Sequence, residues 1–480
     1  MFFLLYLKEI YFLSLSHSKL VQALAVIQIE EWALLTTEAL SHTSDVADVF
    51  AIYSFLKSEK DNLGTLPEVE EVVYQHFPHL SVKVFQNYLS VIFGWVESWL
   101  AHREMTAKKY EEELFLLEAY NRRGAYKLAD QTYKNLEKKI SSATGLDLER
   151  EQALARALRA QYFSNNPIKN EQGGALYEKF VMSWLRTTKE HASVWLTELY
   201  NFGAITEYDY SQMIAGIHQI LAFLPESPLS AKLDNLVCLW EKNDVQVFES
   251  LTASLKENQF EEGSFIHTVL TLYLIVKGNT LHAMGQLPNV KAIAQLYELA
   301  MESGVLMDKG KISMVRFTNM LSALSATQSY EWVEKFINRW INNVITSDLK
   351  GSQNLAHALN CFYHEKYMEV IRLTALTSYG SQEQKMRALA LHVMALYVLR
   401  YDDYETFKTQ LKNFALAVQR QKNSLNKKQY QGYFNLVDFL KKLDKASRKQ
   451  ITINLDAYNY LVYRTWCEKM LATKKGLTPL

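Results

Sequence analysis

The chain has 480 residues, of which 49% are apolar, so a disordered chain is excluded. It carries 52 basic and 52 acidic side chains, whereas a dedicated nucleic-acid binder usually has a clear basic excess. Because single cores stop growing near roughly 250–300 residues, we expect several domains or an elongated stack of repeats.

Glycine (17) and proline (7) are too scarce for the many tight turns that a sheet-rich protein of this size needs. Apolar residues recur at steps of three and four almost throughout, as at Tyr110, Leu114 and Leu117. The sequence therefore predicts an all-α fold. Turn residues predict helix breaks, for example at Gly278–Asn279 and at Gly351.

Residues 1–16 form an apolar stretch that contains Lys8 and Glu9. It lacks the basic start and small-residue cleavage site of a signal peptide, and it is too short to span a bilayer. Three interpretations stay open: a leader outside the fold, a first helix packed on the body, and an export or membrane segment. No later stretch is long and apolar enough for a membrane span.

Residues 17–104 contain short predicted helices and one long helix from about Ser81 to His102. We interpret this region as an N-terminal helical cap, because the end of a helical stack exposes an apolar face that needs a cover. At the other end, alternation over Ile451–Leu455 predicts an extended lead-in to a last helix from Asp456 to about Lys474.

Three helix–turn–helix units recur in the C-terminal third. In each, a tyrosine follows a short polar turn and is predicted to open the second helix, at Tyr330, Tyr367 and Tyr404, which are 37 residues apart. An apolar residue follows each tyrosine three positions later. A single helix pair cannot bury its own apolar faces, so such pairs are expected to stack.

The clearest unit is LLEAYNRRGAYKLADQTYKNL at 116–136. Six of its residues match, in order and spacing, the Leu, Tyr, Gly, Tyr, Ala and aromatic positions of a known helical repeat: Leu116, Tyr120, Gly124, Tyr126, Ala129 and Tyr133. The unit resembles a tetratricopeptide repeat and departs from that pattern at Glu113 and Leu117. The chain as a whole also resembles a group of uncharacterised, all-helical proteins of Bacteroidota-type bacteria, a likeness of general style that transfers no function.

The tetratricopeptide resemblance implies a right-handed α-α superhelix, that is, a tetratricopeptide-like solenoid. Degenerate helix-pair repeats would then occupy 105–450, with the N-terminal cap at 17–104 and a C-terminal capping helix and tail at 451–480. Residues 1–16 would be an apolar leader. The concave face of such a stack usually receives a peptide or a helix of a partner.

The three cysteines, Cys238, Cys361 and Cys467, are odd in number and far apart. They form neither a disulfide framework nor a metal box, and a reducing, cytoplasmic setting fits them best. His357 and His364 lie one helical turn from Cys361, so a Cys–His pair is an alternative to buried packing.

No motif for a metal, a nucleotide or a nucleophile is present beyond these residues. The pair His76 and His79 flanks Pro78 with no cysteine nearby, so exposed turn histidines are favoured over a zinc site. Gly173–Gly174 lacks the lysine and hydroxyl residue of a phosphate loop. We therefore expect no cofactor and no enzymatic activity.

The leading hypothesis is a non-catalytic protein–protein interaction or scaffold protein. The candidate partner-binding residues lie on the first helix of the matched unit: Glu111, Glu118 and Arg122. The oligomeric state stays open.

The alternative is a nucleic-acid-associated helical protein, which rests on a basic segment at 408–449. Its candidate patch consists of Lys427, Lys428, Lys441, Lys442, Lys445 and Arg448. Interleaved Tyr430, Tyr433 and Phe434 would stack on bases. A solvated face or an acidic protein partner would explain the same charges.

Overall fold

The computed structural model describes residues 15–42, 47–164, 173–206, 208–287, 289–375, 379–400, 402–448 and 452–475. Within these ranges the protein is mostly helical, with 22 α-helices and two strands of two residues each. The prediction of an all-α fold is confirmed. The chain divides into two compact units, Met1–Leu136 and Glu137–Leu480.

The first unit contains α1 to α6 and the start of α7. Their bounds are α1 Lys19–Leu24, α2 Glu31–His42, α3 Ala47–Ser58, α4 Val69–His76, α5 Val82–Ala107, α6 Glu111–Arg122 and α7 Tyr126–Ser142. Helix α5 is the long helix that the sequence predicts, and α1 to α4 and α6 all pack on it. Its apolar stripe, including Phe85 and Ile92 at 0% exposed, forms the centre of the core.

Of the predicted leader, residues 1–14 lie outside the described residues. Leu15 is buried in the core of the first unit, and its amide N–H donates a hydrogen bond to the carbonyl oxygen of Pro67 (3.1 Å). The fold therefore already includes Leu15.

The division between the compact units falls at Leu136, beyond the predicted boundary at 104/105. The physical reason is that α6 packs on α5, which ties the start of the matched helix pair to the N-terminal helices. The turn of that pair forms as predicted: Gly124 has a positive φ of 73°, and α7 begins at Tyr126. Ala129, at 1% exposed, is buried.

The second unit contains the rest of α7 and the helices from α8 onwards. Those before the two strands are α8 Leu148–Tyr162, α9 Gly173–Ile205, α10 Ser211–Leu221, α11 Pro228–Lys242, α12 Val245–Lys256, α13 Phe265–Ala283 and α14 Lys291–Glu302. The remaining elements are β1 Ile312–Ser313, α15 Met314–Ser325, α16 Tyr330–Trp340, β2 Val344–Ile345, α17 Leu349–Tyr363, α18 Tyr367–Thr374, α19 Gln382–Val398, α20 Tyr404–Arg420, α21 Lys427–Arg448 and α22 Arg464–Lys475. The strands pair in parallel, Ile312 with Val344 and Ser313 with Ile345.

The predicted helix pairs of the C-terminal third are present. Each predicted tyrosine is the first residue of the second helix of a pair, namely Tyr330 of α16, Tyr367 of α18 and Tyr404 of α20. The apolar residues three positions later, Val333, Val370 and Phe407, are completely buried. The local pattern therefore predicted both the helix starts and the faces that these helices bury.

The helices of this region stack in chain order. The first helices of successive pairs, α15, α17 and α19, pack on one another as well as on the second helices of their own pairs. Helix α21 also contacts α9, which is distant in sequence. The second unit therefore folds back on itself, and its late helices lie beside its early ones.

Two predicted helix breaks are wrong, because α13 runs through Gly278–Asn279 and α17 through Gly351. A Cβ atom at Gly278 would lie 3.0 Å from the ring of Phe248 and 3.1 Å from Ile293. This glycine thus allows close packing of helices, a role that a sequence pattern does not distinguish from a turn. Gly351 lies in the first turn of α17, where its amide N–H donates to the side chain of Asp348 (2.9 Å).

The last helix begins at Arg464 instead of the predicted Asp456. The preceding residue, Tyr463, has a positive φ of 55°, which a continuing helix cannot accommodate. The stretch before it is irregular and contains a short 3-10 turn at Leu455–Ala457, with extended backbone at Asn454 and Tyr458. Ile451 lies outside the described residues, and within the rest of the predicted lead-in, Asn454 has extended backbone and the 3-10 turn begins at Leu455.

Candidate functional site

Residues 452–475, here called the C-terminal segment, lie against the helices of the second unit. Leu461 is completely buried, and its amide N–H donates to the carbonyl oxygen of Ala283 on α13 (3.0 Å). The carbonyl oxygen of Tyr460 accepts a hydrogen bond from the side-chain amide of Asn435 on α21 (2.6 Å). The helices α13 and α21 thus bind the backbone of this segment from two sides at Tyr460 and Leu461.

Side chains of the C-terminal segment fill pockets between the helices. The Tyr458 hydroxyl donates to a carboxylate oxygen of Asp438 (2.8 Å), and its ring lies edge-on to Phe439 with centroids 6.4 Å apart. Trp466 packs 6.1 Å from the ring of Phe362 on α17. Aromatic rings at both ends of the segment therefore add burial to the backbone hydrogen bonds.

A glycine on α21 makes room for the segment. A Cβ atom at Gly432 would lie 2.7 Å from Val462 and 3.0 Å from the ring of Tyr460. Glycine in the middle of a helix costs roughly 0.5–1 kcal/mol relative to alanine. At this position that cost permits the close approach of the side chains of Val462 and Tyr460.

Two neighbouring cavities, here called the inner cavities, lie beside this segment. The larger has a volume of about 490 Å³ and the smaller about 210 Å³. Four residues belong to the walls of both: Asn279, Asn319, Gln429 and Tyr460. The C-terminal segment therefore contributes to the wall of each cavity.

Amide side chains give the inner cavities a polar lining. Asn279 on α13 donates to the carbonyl oxygen of Ile275 (2.7 Å) and to the hydroxyl of Tyr297 (3.1 Å). Asn319 on α15 accepts a hydrogen bond from the guanidinium of Arg387 (2.6 Å). Burial raises the pKa of Tyr297 to about 12, so its hydroxyl stays neutral and can both donate and accept.

Basic side chains dominate the charges of the larger cavity. Lys428 and Arg316 are in its wall, together with the carboxylate of Glu198, which accepts a hydrogen bond from Tyr273. Burial lowers the pKa of Lys428. Burial, and then the charge of Lys428, lowers the pKa of Lys277 on α13 to about 8.

In the smaller cavity the charges are balanced. Arg387 is largely buried and lies 3.8 Å from the carboxylate of Glu383 on the same helix, α19. The walls of the inner cavities thus combine basic and amide side chains with aliphatic ones, such as Leu272 and Val276, and have room for a polar or anionic group.

The predicted basic patch is divided along α21. Lys427 is exposed and Lys428 lies in the cavity wall, whereas the exposed lysines at the other end are Lys441, Lys442 and Lys445. Thirteen residues separate Lys428 from Lys441, or about 20 Å along a helix axis. Lys442 pairs with Asp438 (2.7 Å), and the side chain of Arg448 lies outside the described residues.

The aromatic residues of this helix are divided as well. Tyr433 is buried against Phe414, with ring centroids 6.3 Å apart, so it is not available to stack on bases. Tyr430 stacks on Phe434, which is 46% exposed.

The other predicted binding residues are on α6 in the first unit. Glu111 begins this helix and Arg122 ends it; Glu118 lies between them. Glu111 and Glu118 are half-buried and Arg122 is exposed. Spacings of seven and four place all three on one face of the helix. Their role in binding stays a prediction.

The Cys–His alternative does not match the geometry. Burial raises the pKa of Cys361, whose thiol lies 3.9 Å from the hydroxyl of Tyr330. His357 instead contacts Glu334 (3.0 Å), and His364 hydrogen-bonds to backbone carbonyl oxygens. Cys361 is thus a buried core residue, the interpretation that the sequence favoured.

Across the described ranges, no group of three or more His, Cys, Asp or Glu side chains is arranged to hold a metal ion. Of the two histidines considered for zinc, His76 packs against the ring of Phe55 (4.6 Å) and His79 contacts Asp48 (3.0 Å).

Of the residues that line the inner cavities, Lys428 and Tyr433 were singled out in the sequence and the others were missed. A signal was present, because Lys277, Gly278 and Asn279 follow the apolar run TLYLIV on α13. Polar residues within a buried helix need partners. Their position next to glycine suggested a turn instead.

Comparison of the chain with protein-family models, with curated proteins and with solved structures gave no match. In the described part of the chain, no helix has both the length and the apolar character that crossing a membrane requires.

Proposed function

We propose that the protein is a non-catalytic binding protein whose helix pairs receive an extended segment of a protein partner, as the tetratricopeptide resemblance implies. One observation supports this most directly: the second unit already holds a non-helical stretch of its own chain, residues 452–463, which contains only one short 3-10 turn. Contacts to peptide groups, such as those of Ala283 and Asn435, accept any backbone, whereas side-chain pockets provide specificity.

The side chains of the bound C-terminal segment indicate which side chains a partner would present. The pocket beside Phe439 takes an aromatic residue whose hydroxyl reaches Asp438, as Tyr458 does. Three positions later, a fully buried site takes an aliphatic residue, Leu461. A competing partner would present an aromatic and an aliphatic side chain at this spacing and would displace the C-terminal segment.

The test uses the full chain with Leu461→Asp, which places a charge in a completely buried site and should release the segment. A labelled synthetic peptide of residues 452–475 is then added and its anisotropy is measured. We expect the peptide to bind Leu461→Asp. The wild-type chain should not bind it, nor should the control Asn459→Asp, because Asn459 is exposed.

A helical circular dichroism spectrum and a Cys361 thiol that stays protected from alkylation would show that Leu461→Asp is still folded. If the folded variant does not bind the peptide, or if all three chains bind it equally, the proposal fails.

The candidates Glu111, Glu118 and Arg122 would form a separate contact surface on the first unit. Once a partner is identified, a triple alanine substitution would weaken its binding if this surface takes part. An unchanged affinity would remove these residues from the proposal.

Nucleic acid is the second candidate ligand, favoured by the exposed side chains of Lys441, Lys442 and Lys445 within about one turn of α21. Binding through phosphate contacts releases counterions and weakens as salt increases. An affinity for single-stranded RNA that is the same in low and in moderate salt would count against this alternative.

A further inference from the structure

We propose that the larger inner cavity binds a small phosphate monoester with a polar body, such as a sugar phosphate or a nucleoside monophosphate. Tyr460 of the C-terminal segment is in the wall of this cavity, so the proposal applies to the chain with that segment in place. Its volume of about 490 Å³ lies within the roughly 300–1,000 Å³ typical of small-molecule sites.

The charges in the wall of the larger cavity favour an anionic ligand. Among the residues that the structure describes, no carboxylate lies within ion-pair distance of Lys428 or Arg316. Lys277 lies outside the wall, at 3% exposed, where its ammonium donates to the carbonyl oxygen of Trp240 (3.2 Å) and to the side-chain oxygen of Asn243 (2.7 Å). Lys428 is half-buried and Arg316 is exposed, and an anionic ligand would supply the counter-charge that, among the described residues, neither has within ion-pair distance.

The balance of charges in the wall favours an anion. Two cations, Arg316 and Lys428, are in this wall against the one carboxylate of Glu198, which leaves an excess of one positive charge. A phosphate monoester, which carries about −1.5 to −2 near neutral pH, would use this excess together with the start of α21.

The N-terminal end of α21 adds to the positive electrostatic potential of the cavity. This helix of 22 residues begins at Lys427. Its next two residues, Lys428 and Gln429, are in the cavity wall, and the amide N–H of Gln429 donates to the side chain of Asn426 (2.8 Å). The N-terminus of a helix carries a partial positive charge that favours phosphate.

The rest of the wall combines aliphatic side chains with polar groups that would bind the hydroxyl or ring nitrogen atoms of a ligand. Asn279 and Asn319 present amide groups, and Thr280 is a hydroxyl residue of the same wall. The rings of Tyr273 and Tyr460 are also in the wall and would pack against a sugar or a base. Phosphate recognition would therefore combine with hydrogen bonds to a polar body.

The experiment is isothermal titration of the full chain with AMP, glucose 6-phosphate and inorganic phosphate at constant ionic strength. Adenosine and glucose serve as uncharged controls. We expect the wild type to bind at least one of the two monoesters with a Kd near or below about 1 mM. The uncharged compounds should bind at least tenfold more weakly.

Two adjacent lysines provide a matched pair of variants. Lys428→Met should weaken the affinity for that monoester at least tenfold, and Lys428→Arg should largely retain the affinity. Lys427→Met should change the affinity less than twofold, because Lys427 is exposed. Circular dichroism and urea unfolding confirm that each variant is folded. If neither monoester binds, if uncharged compounds bind equally well, or if Lys427→Met and Lys428→Met lose affinity equally, the proposal is overturned.

Discussion

Gly432 provides a sharp test of how the C-terminal segment is held. In an open helix, Gly→Ala stabilises by about 1 kcal/mol, because alanine has the higher helix propensity. At Gly432, the added Cβ would lie 2.7 Å from Val462 and 3.0 Å from the ring of Tyr460. Overpacking of this kind costs about 1–3 kcal/mol. We therefore expect Gly432→Ala to weaken the attachment of the segment by about 1–3 kcal/mol while it strengthens α21 itself.

The assay is native-state hydrogen exchange, read by mass spectrometry on the peptide that contains Leu461, whose amide N–H is bonded to Ala283. A loss of 1–3 kcal/mol corresponds to exchange that is about 5- to 150-fold faster. The matched control is Gly216→Ala on α10, where a Cβ would meet nothing within 4 Å. It should stabilise the protein by about 1 kcal/mol and leave exchange at Leu461 unchanged. Unchanged or slower exchange at Leu461 in Gly432→Ala would refute the close packing of the segment on α21.

Two further predictions concern ionisation and thiol reactivity. Burial raises the pKa of the completely buried Glu190 from 4.5 to about 7, so the folded state binds this proton more tightly than the unfolded chain. Stability should therefore fall by up to about 3 kcal/mol between pH 4.5 and 7. Urea unfolding at several pH values should show no such fall in stability for Glu190→Gln, whereas the exposed control Glu178→Gln should retain it. If stability depends on pH in the same way in Glu190→Gln and in the wild type, the raised pKa of Glu190 is contradicted. Burial also raises the pKa of Cys361 and Cys467, whereas Cys238 is only half-buried. Iodoacetamide should therefore alkylate Cys238 first in the folded protein, and early labelling of Cys467 would show that α22 is not held in place.

Much of the helical architecture could be predicted from the sequence, because it depends on neighbours within a few positions. The three tyrosines at Tyr330, Tyr367 and Tyr404 begin helices as predicted, since a polar turn followed by an apolar period acts locally. Ser381 caps α19 by accepting a hydrogen bond from the amide of Gln384 (3.2 Å), at the spacing present in the sequence.

The candidate site could not be predicted in this way, because its contacts join residues that are far apart in the chain. Gly278 and Gly432 have the local signature of weak helix positions, yet each provides space for a side chain from another element. Lys427 and Lys428 are neighbours in sequence, but one is exposed and the other lies in a cavity wall.

Local pattern and composition thus determined that this protein is helical and where many of its helices begin. Only the tertiary structure decided that the C-terminal segment binds between α13 and α21, and that cavities lined in part by basic side chains lie beside it. The reason is physical: a helix start depends on hydrogen bonds within one turn, whereas the bond from Leu461 to Ala283 exists only once the whole second unit has folded back on itself.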